Sequence, residues 1–208
     1  MIDTAIVVLL AAAAFFLGAC PFALWIGRAK LRKDIRKFGD GNPGAYNVFR
    51  AGGRAWGVLA LIADMLKGMP FILIAEYVVG YAQPVGYIIA VCAVLGHAYS
   101  PFLHFHGGKA LAVFGGTLVA LGRWDIIISL AILFFIGFLF INNDAWTVIC
   151  GAAGTLVYLS LTGADKWEIA FMACITAILV VKHFQGLKMS PGAHGRLVNW
   201  IRSRRTPA

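Results

Sequence analysis

Ile6-Val7-Val8-Leu9-Leu10-Ala11-Ala12-Ala13-Ala14-Phe15-Phe16-Leu17-Gly18-Ala19 carries no polar side chain and lies within an apolar run from residue 2 to about Ile26. A helix crossing the hydrocarbon core of a bilayer needs about 20 predominantly apolar residues, and this run supplies them. Met1-Ile2-Asp3-Thr4 lacks a basic n-region and the run is too long for a signal-peptide core. The expectation is therefore an uncleaved first span. Comparable runs recur over 55–79, 84–103, 109–122, 126–141, 145–162 and 167–185. The fourth and fifth are short for full crossings, which calls for a locally thin fold or ends set in a protein-lined cavity. Hydrophobic residues make up 61% of the chain and mean hydropathy is +0.82, whereas soluble domains are roughly 45–50% apolar. Most of these runs have no polar face at helical period, which excludes a soluble helical core. The fold class expected is an all-α integral membrane protein, a single polytopic domain over 1–208 with seven transmembrane helices.

Charge gives that fold a direction. Arg28, Lys30, Arg32, Lys33, Arg36, Lys37, Arg50 and Arg54 crowd the segment after the first span. With seven crossings, Lys109 and the tail residues Lys182, Lys188, Arg196, Arg202, Arg204 and Arg205 fall on the same side, leaving only Lys67, Arg123 and Lys166 elsewhere. The positive-inside rule makes that side cytoplasmic, with the N-terminus outside and the C-terminus in the cytoplasm. Six spans would separate the basic loop from the basic tail. The tail over 192–208 mixes Leu197, Val198, Trp200 and Ile201 with arginines. It reads either as an interfacial helix drawn to anionic lipid or as a frayed basic end. Net charge +9 thus reflects topology; no nucleic-acid partner is implied, because no stacking aromatics interleave the basic run.

The polar sequences gather on the cytoplasmic side. In Phe105-His106-Gly107-Gly108-Lys109, two glycines let the backbone bend and expose N–H groups while Lys109 adds a full positive charge. Gly39-Asp40-Gly41-Asn42-Pro43-Gly44-Ala45-Tyr46-Asn47 encodes a compact irregular loop, and Arg50 beyond it offers a fork suited to phosphate. Asp64 and Lys67 lie three apart on one face of the second span and are expected to form a structural pair supporting the site. A weaker polar segment, Lys182-His183-Phe184-Gln185-Gly186-Leu187-Lys188, ends the last span.

Several chemistries are excluded by spacing. Gly107-Gly108-Lys109-Ala110 lacks the earlier glycine and following hydroxyl of a Walker loop, and no Gly-x-Ser-x-Gly elbow exists. No histidine is followed five residues later by aspartate, so any acyl transfer would have to rest on positioning and charge stabilisation, not on such a dyad. No metal site is expected. His97, His104 and His106 have no neighbouring carboxylate or thiol, and Cys20, Cys92, Cys150 and Cys174 read as packing residues.

Taken in order, these motifs resemble the bacterial acyl-phosphate:glycerol-3-phosphate acyltransferase (PlsY) family. The match runs from Gly41-Asn42-Pro43-Gly44-Ala45, Asn47 and Arg50, through Asp64, Lys67 and Gly68, to Gly96-His97, Phe102-Leu103, Phe105, Gly107-Gly108-Lys109 and His183. The resemblance covers nearly the whole chain. It implies a seven-span inner-membrane enzyme that moves a fatty acyl group from acyl phosphate to the sn-1 hydroxyl of glycerol 3-phosphate, giving lysophosphatidic acid. The two phosphorylated compounds and membrane lipid are the partners implied, with no cofactor, no metal and no protein nucleophile; no oligomeric state is implied. By the same resemblance Arg50 and Lys109 bind substrate phosphate, and Asn42 and Asn47 shape the first loop. Gly41, Gly107, Gly108 and His97 line the binding region, and His183 organises the pocket.

The family pattern breaks at identifiable positions. Asp40 stands where the family usually has Ser, and Tyr46 where it has Thr. Ala110 follows the lysine in place of Gly, and His183-Phe184-Gln185-Gly186 replaces His-Arg-Glu-Asn. The Asp40 carboxylate is expected either to pair with Arg50 or to act as general base for an acceptor hydroxyl. These substitutions leave two alternatives open: a homologue of the same fold with another acceptor or donor, and a non-catalytic lipid-binding or transport protein.

Overall fold

The computed structural model describes residues 3–192 and Gly195. The tail expected at the interface therefore lies, apart from Gly192 and Gly195, outside the described residues. All regular structure among the described residues is helical, and it falls into two compact units, Met1–Arg123 and Trp124–Ala208. Five helical stretches are long and apolar enough to cross a membrane: Thr4–Leu31, Arg54–Val78, Gln83–Leu103, Asp144–Leu161 and Lys166–Leu187. Leu111–Ala120 and Trp124–Phe140 are shorter apolar helices. These stretches coincide with the apolar runs read from the sequence.

In the first unit, α1 (Thr4–Ala19) begins at Asp3, whose side chain accepts the Ala5 N–H at 2.9 Å. The first run is not one continuous helix. Pro21 brings no N–H, so the run breaks at Cys20 and resumes as α2 (Phe22–Leu31). A short helix α3 (Ala45–Arg50) follows the first polar loop and leads into α4 (Arg54–Leu66). The second run also breaks, at Lys67–Met69 ahead of Pro70. It continues as α5 (Pro70–Leu73) and a π-helical turn, Ile74–Val78.

Two close backbone approaches set the helix positions in this unit. α1 packs along α6 (Gln83–Ala98) with Gly18 against the Ala93 carbonyl and Gly96 against the Phe15 carbonyl, where any Cβ would collide. α4 meets α7 (Leu111–Ala120) through Gly116, which lies on the Met65 carbonyl. Small residues are what let membrane helices approach at backbone distance, since lipid offers no hydrophobic drive between them. Beside α2, α3 and α4, a cluster of Leu24, Ile35, Val48 and Ala60 is buried, with Trp56 and Leu103 packed against it. Ile35 and Val48 are fully buried; such a side chain stabilises by roughly 1.5–3 kcal/mol when the alternative is water. This cluster anchors α3 and thereby the polar loop before it.

The second unit is α8 (Trp124–Phe140), α9 (Asp144–Leu161) and α10 (Lys166–Leu187), with α9 packed against both others. Short connections make sequential helices antiparallel neighbours. Asn143 caps α9 by accepting the Ala145 N–H at 2.9 Å, and its amide donates to the Gly186 carbonyl at 2.8 Å. A Cβ at Gly186 would stand 2.6 Å from the Ala145 methyl, so the start of α9 and the end of α10 meet where only glycine fits.

Candidate active site

The site is built on two polar segments of the first unit. In the loop before α3, Gly39 and Gly41 hold left-handed backbone, with φ of 57° and 75°. Asn47, fully buried in α3, reaches back over this loop. Its amide donates to the Asn42 carbonyl at 2.7 Å and to Asp40 Oδ1 at 2.9 Å, while Asn42 N–H donates to the same oxygen at 3.2 Å. The Asn47 Oδ1 atom lies against Gly39, where a Cβ would overlap it. The Asn-rich loop is thus a folded cradle whose shape depends on one buried amide.

The second segment lies against the end of α6. Gly108 N–H donates to the His97 carbonyl at 3.0 Å. A Cβ at Gly107 would strike that carbonyl, and one at Gly108 would strike His97 Nε2. The backbone therefore passes flat over a buried histidine, and Lys109 is delivered at the end of the turn. Ala110 then takes a left-handed conformation, φ 65°, as the N-cap of α7. For an L-residue this costs on the order of 1–2 kcal/mol.

Lys109 Nζ lies 2.7 Å from Asp40 Oδ2, and this ion pair joins the two segments. The expected Asp40–Arg50 pair is not formed. Asn42 and Asn47 fix the carboxylate on the side of Lys109, whereas Arg50 closes α3 as an exposed residue without an ion pair among the described residues. Both partners of the observed pair are about one-third exposed, at 37% and 35%, so its net contribution is on the order of 1 kcal/mol or less. Burial alone would push the Asp40 carboxyl up. The Lys109 ammonium and the Asn42 and Asn47 donors outweigh that and hold it below the ordinary carboxylate range. A carboxylate so stabilised is a poor proton acceptor at neutral pH, which weighs against the general-base expectation.

Beneath the turn lies a second, buried ion pair. Lys67 Nζ is 2.7 Å from Asp64 Oδ1 with both side chains almost wholly enclosed, and it donates to the Cys20 carbonyl at 2.8 Å. Ser100 Oγ donates to the Ala19 carbonyl at 2.6 Å. The break at Pro21 takes these carbonyls out of the regular helical ladder; Ser100 caps that of Ala19, and Lys67 joins the Phe22 N–H on that of Cys20. His97 Nδ1 stands 3.9 Å from Asp64 Oδ1, beyond hydrogen-bond reach but close enough to sense its charge. A cavity with room for about one water molecule is lined here by Cys20, Asp64, Lys67, His97, Ser100 and Gly108.

The first unit thus brings Asp40, Asn42, Asn47, Gly107, Gly108, Lys109, His97, Asp64 and Lys67 into one connected set. The roles of Ser100 and the Cys20 carbonyl were not anticipated from sequence; Pro21 inside an apolar run was the signal for both. Tyr46, a departure from the family pattern, is exposed and leaves the cradle intact. His183 belongs to the second unit, buried in α10 with Nδ1 2.9 Å from the Leu179 carbonyl.

A model of the glycerol-3-phosphate acyltransferase family matches residues 8–189. Among curated relatives, glycerol-3-phosphate acyltransferase 1 of Deinococcus radiodurans is 34% identical, covering 88% of this chain and 91% of its own. The glycerol-3-phosphate acyltransferase of Endomicrobium trichonymphae is 33% identical over 84% of this chain and 86% of its own. A crystal structure of PlsY, an integral membrane glycerol 3-phosphate acyltransferase in its glycerol 3-phosphate form, superposes with TM-score 0.76 at 30% identity, covering 88% of this chain and 90% of that one. The form with lysophosphatidic acid gives 0.75 at 28%. The likeness takes in both polar segments and the helices that hold them, and the chain belongs to the glycerol-3-phosphate acyltransferase family.

Proposed function

We propose that this protein transfers a fatty acyl group from acyl phosphate to the sn-1 hydroxyl of glycerol 3-phosphate, giving lysophosphatidic acid and inorganic phosphate. The observation that carries the reading is the junction of the Gly107-Gly108-Lys109 turn with the Asn-rich loop at Lys109, in a fold like that of a solved glycerol 3-phosphate acyltransferase. The acceptor hydroxyl attacks the acyl carbonyl carbon, the carbon–oxygen bond to phosphate breaks, and the hydroxyl proton leaves with a phosphate oxygen. Lys109 and Arg50 hold phosphate charge, and His97 keeps the glycine turn in place. This is catalysis by positioning and charge stabilisation. His183 is included on the family resemblance alone.

The setting follows from the charge pattern. Seven crossings, a single membrane domain, an outside N-terminus and a cytoplasmic C-terminus put the basic segment 28–54 and Lys109 on the face where both phosphorylated substrates would be met. A bacterial inner membrane fits that arrangement. The test is an assay with palmitoyl phosphate and glycerol 3-phosphate in detergent or lipid, which should yield lysophosphatidic acid. No product, under conditions in which a relative turns over, contradicts the proposal.

A further inference from the structure

We propose that Asp40 is a built-in carboxylate ligand of Lys109, one that a substrate phosphate must displace, and that it thereby sets affinity for the phosphorylated substrate. The inference rests on the reading of Lys109 as a phosphate ligand.

Three features carry it. The contact is direct, 2.7 Å between Nζ and Oδ2, so a phosphate seated on the same ammonium lies close against the carboxylate and the two repel. The carboxylate is also pre-positioned: Oδ1 accepts from Asn42 N–H and from the wholly buried Asn47 amide. It competes with little entropy left to lose. Finally, the pair can be reached. Its side chains are about one-third exposed, whereas those of the Asp64–Lys67 pair are 2% and 1%. Of two lysine–aspartate pairs in this unit, the solvent-facing one can exchange its anion and the enclosed one cannot.

A neutral polyol has no charge with which to displace a carboxylate. A phosphate dianion has more charge and three oxygens to offer. Arg50, exposed and without an ion pair among the described residues, is available to attract such an anion before Lys109 changes partner. The phosphate in question is that of a phosphate monoester acceptor or that of an acyl phosphate donor.

The test uses the full chain in nanodiscs. Asp40→Asn removes the charge and keeps an oxygen for Asn42 and Asn47; Asp40→Ser serves if that variant does not fold. Glycerol 3-phosphate binding is measured by calorimetry with no acyl donor present, and KM is measured separately for glycerol 3-phosphate and palmitoyl phosphate. Removing the competitor should tighten phosphate binding by up to about fivefold, the effect of losing a partner worth on the order of 1 kcal/mol. KM should move more than kcat, and the gain should vanish in a Lys109→Ala background. A gain confined to palmitoyl phosphate assigns the displaced contact to the donor and supports the proposal equally. Unchanged or weaker binding of both compounds by a folded variant, or a gain that persists without Lys109, overturns it. Tighter binding in a protein that makes no lysophosphatidic acid upholds the displaced carboxylate while refuting acyl transfer.

Discussion

Gly108 donates its N–H to the His97 carbonyl at 3.0 Å, and its Cα lies where any added Cβ would run into the His97 ring. The turn carrying Lys109 is therefore registered against α6 by one hydrogen bond and one missing side chain. Gly108→Ala should lift the turn, displace Lys109 and lower kcat/KM by about a hundredfold, since small misplacements near reacting groups cost that much. Steady-state kinetics on folded protein checks this. A variant within twofold of wild type would show that the turn's register is not required.

The buried Asp64–Lys67 pair should be asymmetric in its response to mutation. Asp64→Asn or Lys67→Met alone leaves one charge enclosed without its partner, at a cost of about 3–5 kcal/mol. The double substitution removes both charges and should recover much of that loss. Thermal unfolding in detergent decides it, and equal losses in the single and double variants would contradict the pairing.

Ala110 occupies backbone that glycine adopts without penalty. Ala110→Gly should stabilise the protein by about 0.5–1 kcal/mol, the relief of left-handed strain less the greater entropy of an unfolded glycine. Unfolding midpoints measure the change directly. A lower midpoint in the variant would contradict the backbone assignment at this residue.

Asp40 should not control the rate near neutral pH. Its folded-state pKa is depressed, so the stability from its contacts is fully present above the ordinary carboxylate value of 3.8 and is lost only as pH falls through the lower folded value. Between about pH 6 and pH 8 the carboxylate stays ionised. The pH–rate profile of Asp40→Asn should therefore parallel that of wild type across this range. Loss of a limb in the variant would mean that Asp40 titrates there and serves as a base.

Much of this arrangement was legible in the sequence. The apolar runs gave the helices because lipid-length hydrophobicity is a strong, local signal, and Gly107-Gly108-Lys109 and Asn42 to Asn47 marked the polar segments. The breaks were less visible, since Pro21 and Pro70 sit inside runs whose composition barely changes. Which cation Asp40 meets could not be read from spacing. Arg50 is near in sequence, but Lys109, far along the chain, is the observed partner because Asn42 and Asn47 aim the carboxylate. Likewise Ser100 and Lys67 find their acceptors only once α1 has broken at Cys20. Tertiary direction, not residue type, separates the two cases.

The most direct test is the formation of lysophosphatidic acid from palmitoyl phosphate and glycerol 3-phosphate by wild type and Lys109→Ala, reconstituted side by side and matched for folding. Wild type should form product, and the variant should lose at least about a hundredfold in kcat/KM, as when a charge-stabilising group is removed. Wild-type protein without product, or a Lys109→Ala variant that keeps its activity, would contradict the assignment of Lys109 to substrate phosphate.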